Sequence, residues 1–383
     1  MEPEPADKLK QKLSAGGPMS VADYMAWCLT ASDSSYYRSG NPLGASGDFV
    51  TAPEVSQIFG ELIAVWAIQV WQGMGAPASF VLAELGPGRG TLMQDALRAA
   101  RAVPAFRAGV QVHLVETSAT LRELQGKTLA SACEPQWHRS FACLPQGPLI
   151  VIANEFFDAL PVEQHVYENG SWHRRVIAMN DAGRPAFAAG RLSVPPVELL
   201  PAREPRDGDI LEHRPAARTL MREIGKRADN APAALLIADY GYEHRDYGDT
   251  LQAVREHGYA NPLENPGEAD LSAHVNFAEL AEAADGDGLS AWGPIAQSEF
   301  LLSLGMEQRL RQLMTTASED QRAALFLGAR RLVDPFQMGS LFKVMAITSR
   351  DLPPPPPFST AAQLPPATEA PYSSGAAMDN GAQ

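Results

Sequence analysis

The run Glu84-Leu85-Gly86-Pro87-Gly88-Arg89-Gly90 sets an acid two residues before three closely spaced glycines, after an apolar stretch and before a helix expected to start near Thr91. Glycine has no Cβ, so such a turn lets the backbone approach a ligand closely. A dinucleotide fingerprint needs glycine or alanine three residues beyond Gly88, where Thr91 stands; the loop reads GxGxG. Glu84, Gly86, Pro87, Gly88 and Gly90 are therefore candidates to hold a ligand that offers a cation or hydroxyls rather than pyrophosphate. The alternative is an ordinary glycine-rich strand-to-helix turn. Glu116 closes the next apolar stretch, where a doubly wound sheet sets an acid against a ribose whose two hydroxyls can donate to one carboxylate. Taken alone it is equally a helix cap or a solvated acid. Further on, Asn154-Glu155-Phe156-Phe157-Asp158-Ala159-Leu160-Pro161 puts an amide and two acids beside two aromatic rings, a grouping able to hold a cation between carboxylates and ring faces. In the plainer reading Phe156 and Phe157 are core and Asp158 caps a helix.

Composition narrows the ligand classes. The chain has 383 residues, 45% of them apolar, enough for two or three units or for one large domain with insertions. Forty-five acidic side chains against 31 basic ones give a net charge of −14, which repels polyphosphate and offers no general footprint for nucleic acid or anionic membrane. Cys28, Cys133 and Cys143 form no CxxC pair, which points to a reducing compartment. Met1 to Lys10 mixes Glu, Pro, Asp and Lys where a secretory signal needs an apolar core, so a cytoplasmic location is expected. Ile58 to Trp71 is interrupted by Glu61 and Gln69 and is shorter than the ~20 residues that span a bilayer, so it reads as a buried helix and membrane insertion is not expected. HExxH, GxxxxGK[ST] and GxSxG motifs are all missing, and no metal site is expected.

The elements that must position these residues alternate between strand-like and helix-like, which favours an α/β fold with a parallel sheet. Strands are predicted at Phe80 to Leu85, Val110 to Glu116, Leu149 to Ala153, Leu235 to Asp239 and Leu341 to Thr348. Open parallel sheets bind ligands at the carboxyl ends of their strands, where the glycine turn and both acidic runs fall. Val55, Phe59, Leu62, Val65 and Trp66 recur at helical spacing, and Thr51 with Glu54 could cap that helix. Asn169-Gly170 between alternating residues predicts a hairpin. The expected organisation is a helical segment over residues 1–75 contributing to the site, a Rossmann-like domain over 76–350 with a substrate-side lobe inserted at about 162–230, and a proline-rich disordered tail over 351–383.

The glycine turn and the two acidic strand ends resemble those of class I S-adenosylmethionine-dependent methyltransferases. More specifically, the chain resembles the MidA family, which includes a mitochondrial complex I assembly-factor methyltransferase and bacterial relatives. The resemblance covers roughly Met19 to Ser349 and is carried by ordered blocks: Gly47 to Glu54, Asn154 to Pro161, Asp239-Tyr240-Gly241, Asp270 to Phe277, Phe300 to Gly305 and Met338 to Val344. It implies a Rossmann-like class I methyltransferase sheet, S-adenosylmethionine as methyl donor and, from the mitochondrial member, symmetric dimethylation of an arginine in a complex I (NADH dehydrogenase) subunit. It also implies that Glu84, Gly86, Pro87, Gly88, Gly90, Glu116 and Asn154 hold the donor.

Arginine as acceptor raises a chemical difficulty, because its guanidinium is protonated and offers donors but no lone pair. Carboxylates must orient it and help remove a proton. Asp158 and Glu155 are the first candidates, with Asp48 and Glu54 from the N-terminal segment; Glu54 could instead merely complete the cap with Thr51. His274 reads first as a histidine that orients its loop and second as a proton acceptor, while Asp239 and Tyr240 read as support for the pocket. Two rival readings share the fold: an assembly factor or scaffold acting by binding alone, and an N-methyltransferase of another substrate. The acidic surface disfavours a polyanionic acceptor and suits a basic peptide. Oligomeric state is not encoded in any of these patterns.

Overall fold

Successive side chains of a strand face opposite ways, so a strand apolar at every position needs cover on both faces. The computed structural model describes residues 5–31, 51–255, 258–264 and 266–358, and such strands lie at the centre of its eight-stranded sheet. In chain order the strands of this sheet are β1 (Phe80–Leu85), β2 (Val110–Val115), β3 (Gln136–His138), β4 (Leu149–Asn154), β5 (Ala233–Tyr242), β6 (Leu289–Ala296) and β7 (Phe342–Ser349). Val275–Asn276 adds an eighth, two-residue strand alongside the end of β5. The main path runs β3-β2-β1-β4-β5-β7-β6; β7 is antiparallel to both neighbours and the other pairs are parallel. The chain changes its direction of travel across the sheet between β1 and β4, which opens a crevice at their carboxyl ends.

The principal helices are α1 (Pro5–Gly16), α2 (Val21–Ala26), α3 (Gln57–Gly73), α4 (Thr91–Ala99), α5 (Ala119–Leu129), α6 (Pro215–Ala228), α7 (Phe277–Gly286), α8 (Gln297–Ser303), α9 (Met306–Thr316) and α10 (Glu319–Val333). On one face of the sheet, Phe59 and Trp66 of α3, Leu92 of α4 and Phe300 of α8 pack against Leu82, Ile150, Leu236 and Ala346. On the other, Met221 and Ile224 of α6 with Phe277 and Leu280 of α7 cover Val81, Val151, Ile237 and Met345. A third core joins Leu9, Tyr24 and Met25 of α1 and α2 to Val162, Ile177 and Leu271.

These cores redraw several expected boundaries. The N-terminal 75 residues divide: α1 and α2 belong to the third core, whereas α3 belongs to the central layer. Within the expected insertion, α6 is the crossover that two parallel neighbours such as β4 and β5 require, so the inserted part proper ends with Ile210–His213 and supplies four strands of a five-stranded sheet, whose fifth strand is Met19–Ser20 from the N-terminal segment. Its Asn169-Gly170 hairpin forms as expected, with both residues at positive φ (52° and 76°) and Glu168 paired with Ser171. A small sheet of Gln252–Arg255, Gly258–Ala260 and Asp270–Ser272 was not expected. The predicted cap at Thr51 does not form: its side chain makes no capping bond, the helix breaks at Ser56, and Ser56 accepts from Ile58 N to begin α3. The proline run does not leave the fold where a tail was expected, since Phe358 is buried against Phe300; residues 359–383 and Asp48 lie outside the described residues.

Glu61, the acid that interrupts the apolar stretch of α3, ties three helices together. It is 3% exposed and accepts from Arg98 of α4 (2.8 Å) and twice from Arg309 of α9 (2.7 and 2.9 Å). Burial alone would raise its proton affinity, yet the two guanidinium groups hold its carboxyl below the ordinary value. A depressed acid contributes stability above its unfolded pKa and loses it as pH falls through the folded one. We expect Glu61→Ala to cost about 3 kcal/mol in denaturant unfolding at pH 7, the scale for breaking a buried ion pair. The gap to the wild type should close on acidification below the ordinary carboxylate range.

Candidate active site

At the end of β1 the chain turns through Gly86, Gly88 and Gly90, all at positive φ (60°, 53° and 84°). Gly86 N donates to Val115 O of β2, and Gly90 N to Pro87 O, which closes the turn ahead of α4. A Cβ on Gly86 would lie 3.1 Å from the Phe156 ring, so the two facing loops meet at a point that only glycine leaves open. Between them is a cavity of about 580 Å³. Glu84, Gly86, Pro87, Gly88, Glu116, Asn154, Glu155 and Glu54 all line it; Gly90 does not, and turns the chain from behind.

Two polar atoms on this wall stand ready for a ligand. Glu84 is 3% exposed and its Oε2 has no hydrogen-bond partner among the described residues; burial pushes its carboxyl up to about 8. Asn154 donates to Glu155 Oε1 (3.1 Å), while its buried Oδ1 is likewise without a partner. Glu116 accepts from Ser118 N (2.7 Å) and Gln125 Nε2 (3.2 Å), which supports the start of α5, and it also lines the cavity. Gln125 also donates to Gly88 O (2.8 Å) and accepts from Trp137 Nε1 (2.9 Å), linking the glycine turn to Glu116. Sequence reasoning missed it, along with Arg139, Ser140 and Phe141, which reach the cavity from the loop after β3.

The turn after β4 is held by Asp239. Its carboxylate accepts from Phe157 N (3.0 Å), Asp158 N (3.2 Å) and Tyr240 N (2.9 Å), the supporting role expected for it. This arrangement leaves Glu155 in the left-handed region, at φ 49°. The Glu155 carboxylate accepts from Ala52 N (3.1 Å), and burial, with the nearby Asp158 charge, raises it to about 7. Glu54 accepts from Thr91 Oγ1 (2.5 Å) instead of capping its own helix. Residues 51–55 thus form a wall bonded to both lips of the crevice.

Asp158 and His274 each neighbour Tyr240, and neither lines the cavity. Asp158 is buried beside Tyr240, whose hydroxyl donates to Ser272 Oγ (2.6 Å). Burial raises the Asp158 carboxyl, as it does that of Asp239, which the charges of Asp158 and Glu155 raise further. The His274 ring meets Tyr240 edge-on, with centroids 5.5 Å apart, and burial lowers its proton affinity. Five glutamates, Glu54, Glu84, Glu116, Glu155 and Glu223, face the cavity against Arg89 and Arg139, a balance that suits a cation. Among the described residues, no three His, Cys, Asp or Glu side chains converge on a metal position.

The sequence profile of Methyltransf_28, a family of S-adenosyl-L-methionine-dependent methyltransferases, matches residues 62–295. The chain belongs to that family. It is 34% identical over 371 residues to the mitochondrial protein arginine methyltransferase NDUFAF7 homolog of Drosophila melanogaster, spanning 89% of this chain and 84% of that one. With the human mitochondrial protein arginine methyltransferase NDUFAF7 the identity is 33% over 365 residues, spanning 88% and 82%. A crystal structure from Burkholderia thailandensis, bound to S-adenosyl-homocysteine, superposes with a TM-score of 0.78 at 26% identity and covers 91% of this chain and 92% of its own.

The protein is therefore an S-adenosylmethionine-dependent methyltransferase with the expected Rossmann-like sheet. The crevice fits that donor: the unpartnered Glu84 and Asn154 oxygens, the acid at the end of β2 and the side-chain-free turn at Gly86 suit a molecule carrying an ammonium, a ribose and a sulfonium. Among the described residues, no helix is long and apolar enough to cross a membrane. We expect Gly86→Val to weaken S-adenosylmethionine binding roughly tenfold or more, since a branched side chain would fill the narrow space between the turn and Phe156 on the cavity wall. Calorimetry on the folded variant checks this, and unchanged affinity would remove the turn from the donor site.

Proposed function

We propose that this enzyme methylates the guanidinium of an arginine in a protein substrate, that the substrate is a subunit of respiratory complex I, and that Glu155 receives the guanidinium. The observation that carries the reading is Glu155 itself. It is a non-glycine residue held left-handed, with its carboxylate on the donor cavity and buried Asp158 and Asp239 close behind. The names of the curated relatives support an arginine acceptor, and the resemblance to the complex I assembly-factor branch supports the partner. Three unpaired cysteines support a reducing compartment, for which the reading keeps the cytoplasm.

When bound, S-adenosylmethionine supplies an electrophilic methyl carbon on a sulfonium whose charge disperses as the methyl leaves, so the protein has to align, neutralise and exclude water. Glu84 and Asn154 would hold the donor's polar end and Glu116 its ribose. Residues 51–55 close the crevice between Thr91 and Glu155. The acceptor guanidinium brings a positive charge into a recess of raised, mutually repelling acids, which its entry relieves. A planar fork of N–H donors matches two carboxylate oxygens in directions that an ammonium lacks, which selects arginine over lysine. Glu155, with its carboxyl near 7, holds the proton that the guanidinium must lose.

The deciding experiment incubates the enzyme with radiolabelled donor and bacterial lysate and locates the label by mass spectrometry. Label on arginine of a complex I subunit is the expected result; label on lysine, lipid or nucleic acid would sink the reading. Because the Glu155 acid is raised, its carboxylate fraction grows as pH rises through about 7, so wild-type kcat/KM should climb over that range. Glu155→Gln should be slow and lack this limb while keeping donor affinity. Asp158→Asn should likewise bind donor and turn over slowly, and equal turnover would take Asp158 out of the mechanism.

A further inference from the structure

We propose that Arg214 is the positioning residue of the acceptor side: its guanidinium clamps the Ala273–His274 peptide and so fixes Asp158 and the His274 ring behind the reaction site. The inference rests on the acceptor site proposed above and assigns a residue that no sequence motif singled out. Arg214 precedes α6, is 1% exposed and is among the largest fully buried side chains of the protein. It donates through Nη1 to His274 O (2.8 Å) and through Nη2 to Ala273 O (2.5 Å), while its backbone N donates to both oxygens of Glu279 (3.1 and 3.2 Å).

The clamped peptide is gripped from its other side as well. Ala273 N donates to the Asp158 carbonyl (3.1 Å), and His274 N to Thr250 Oγ1 (2.9 Å), whose hydroxyl donates in turn to buried Glu212 (2.5 Å). Two carbonyls on one guanidinium and two N–H groups on fixed acceptors leave this peptide a single orientation. That orientation stacks His274 edge-on against Tyr240, which also bonds Ser272 and lies beside Asp158.

Arg214 is also the shared counter-charge of the region. Its positive field reaches the buried carboxyls of Asp158, Asp239, Glu212 and Glu279, each of which burial raises. A buried guanidinium is maintained only against such opposing charge and good hydrogen bonds. Around His274, Tyr240 from β5 meets its ring, Arg214 before α6 bonds its carbonyl, and Thr250, itself bonded to Glu212, accepts from its backbone N–H; Asp158 after β4 lies on Tyr240. Arg214 adds to burial in disfavouring the imidazolium.

The test uses the full-length enzyme labelled with 15N-histidine, with His274→Gln to identify the His274 resonance, and compares wild type, Arg214→Met and Arg214→Lys. In Arg214→Met the His274 titration moves to higher pH, kcat drops roughly a hundredfold as for a misplaced catalytic group, and donor affinity is kept. In Arg214→Lys the charge remains but one carbonyl bond is lost, so the His274 titration stays depressed and kcat is intermediate. A His274 titration unmoved in Arg214→Met, or kcat and donor affinity falling alike in both variants, overturns the proposal. Should Arg214→Met not fold, Arg214→Lys decides alone: wild-type kcat there overturns it, and a depressed His274 with reduced kcat supports it. If the wild type labels no arginine at all, the functional reading falls while the His274 titrations still judge the clamp.

Discussion

The Asp239 carboxylate, accepting from three backbone N–H groups at the end of β5, is the contact on which the rest of the site depends. These three bonds tie the turn after β4 to the neighbouring strand. Glu155 N donates to Ala238 O (2.9 Å) in the same turn. With both ends fixed, the chain between them has little freedom left. Glu155 takes a left-handed conformation that a side chain normally avoids, and Phe156 comes down over Gly86. Strain of that kind persists only where the surroundings over-determine it. The crevice is thus shaped by backbone hydrogen bonds first and by side-chain packing second.

The second organising fact is electrostatic. Carboxylates are costly to bury, and a protein that buries several without equal numbers of cations leaves their proton affinities raised. Elsewhere in this molecule the account is settled, as at Glu61 between Arg98 and Arg309. Around the crevice it is not: Glu84, Glu155, Asp158 and Asp239 are all raised, and the buried Arg214 serves several acids at once. A cationic ligand is the charge such a site lacks.

Much of this was legible in the sequence because the central strands are buried on both faces and read as uninterrupted apolar runs. Phe80–Leu85 is placed to the residue, and the others to within a few residues at either end. What escaped has identifiable causes. β3 and the 252–272 sheet consist of strands of three or four residues, too short to show a period. Gln125 did carry a signal: it sits between Leu121 and Leu129 at four-residue spacing, a polar side chain on the buried stripe of α5. The cap assigned to Thr51 and Glu54 fits the residue pattern, but tertiary structure gives Glu54 a better partner in Thr91. The retreat of Asp158 from the cavity follows from the left-handed turn at Glu155, and nothing in the identity of a glutamate announces a positive φ.

The first residues of the proline run carry a practical consequence. Phe358 sits in the central core with Phe300, its ring occupying the space that Gly293 leaves free. Emptying a buried phenylalanine site typically costs about 3–5 kcal/mol, comparable with much of the net stability of an ordinary domain. A shortened version of the chain that stops at Arg350, where the last strand has just ended, would look complete on a topology diagram yet leave a ring-sized hole beneath α8. Trimming for crystallisation or for fusion to a partner should spare everything through Phe358.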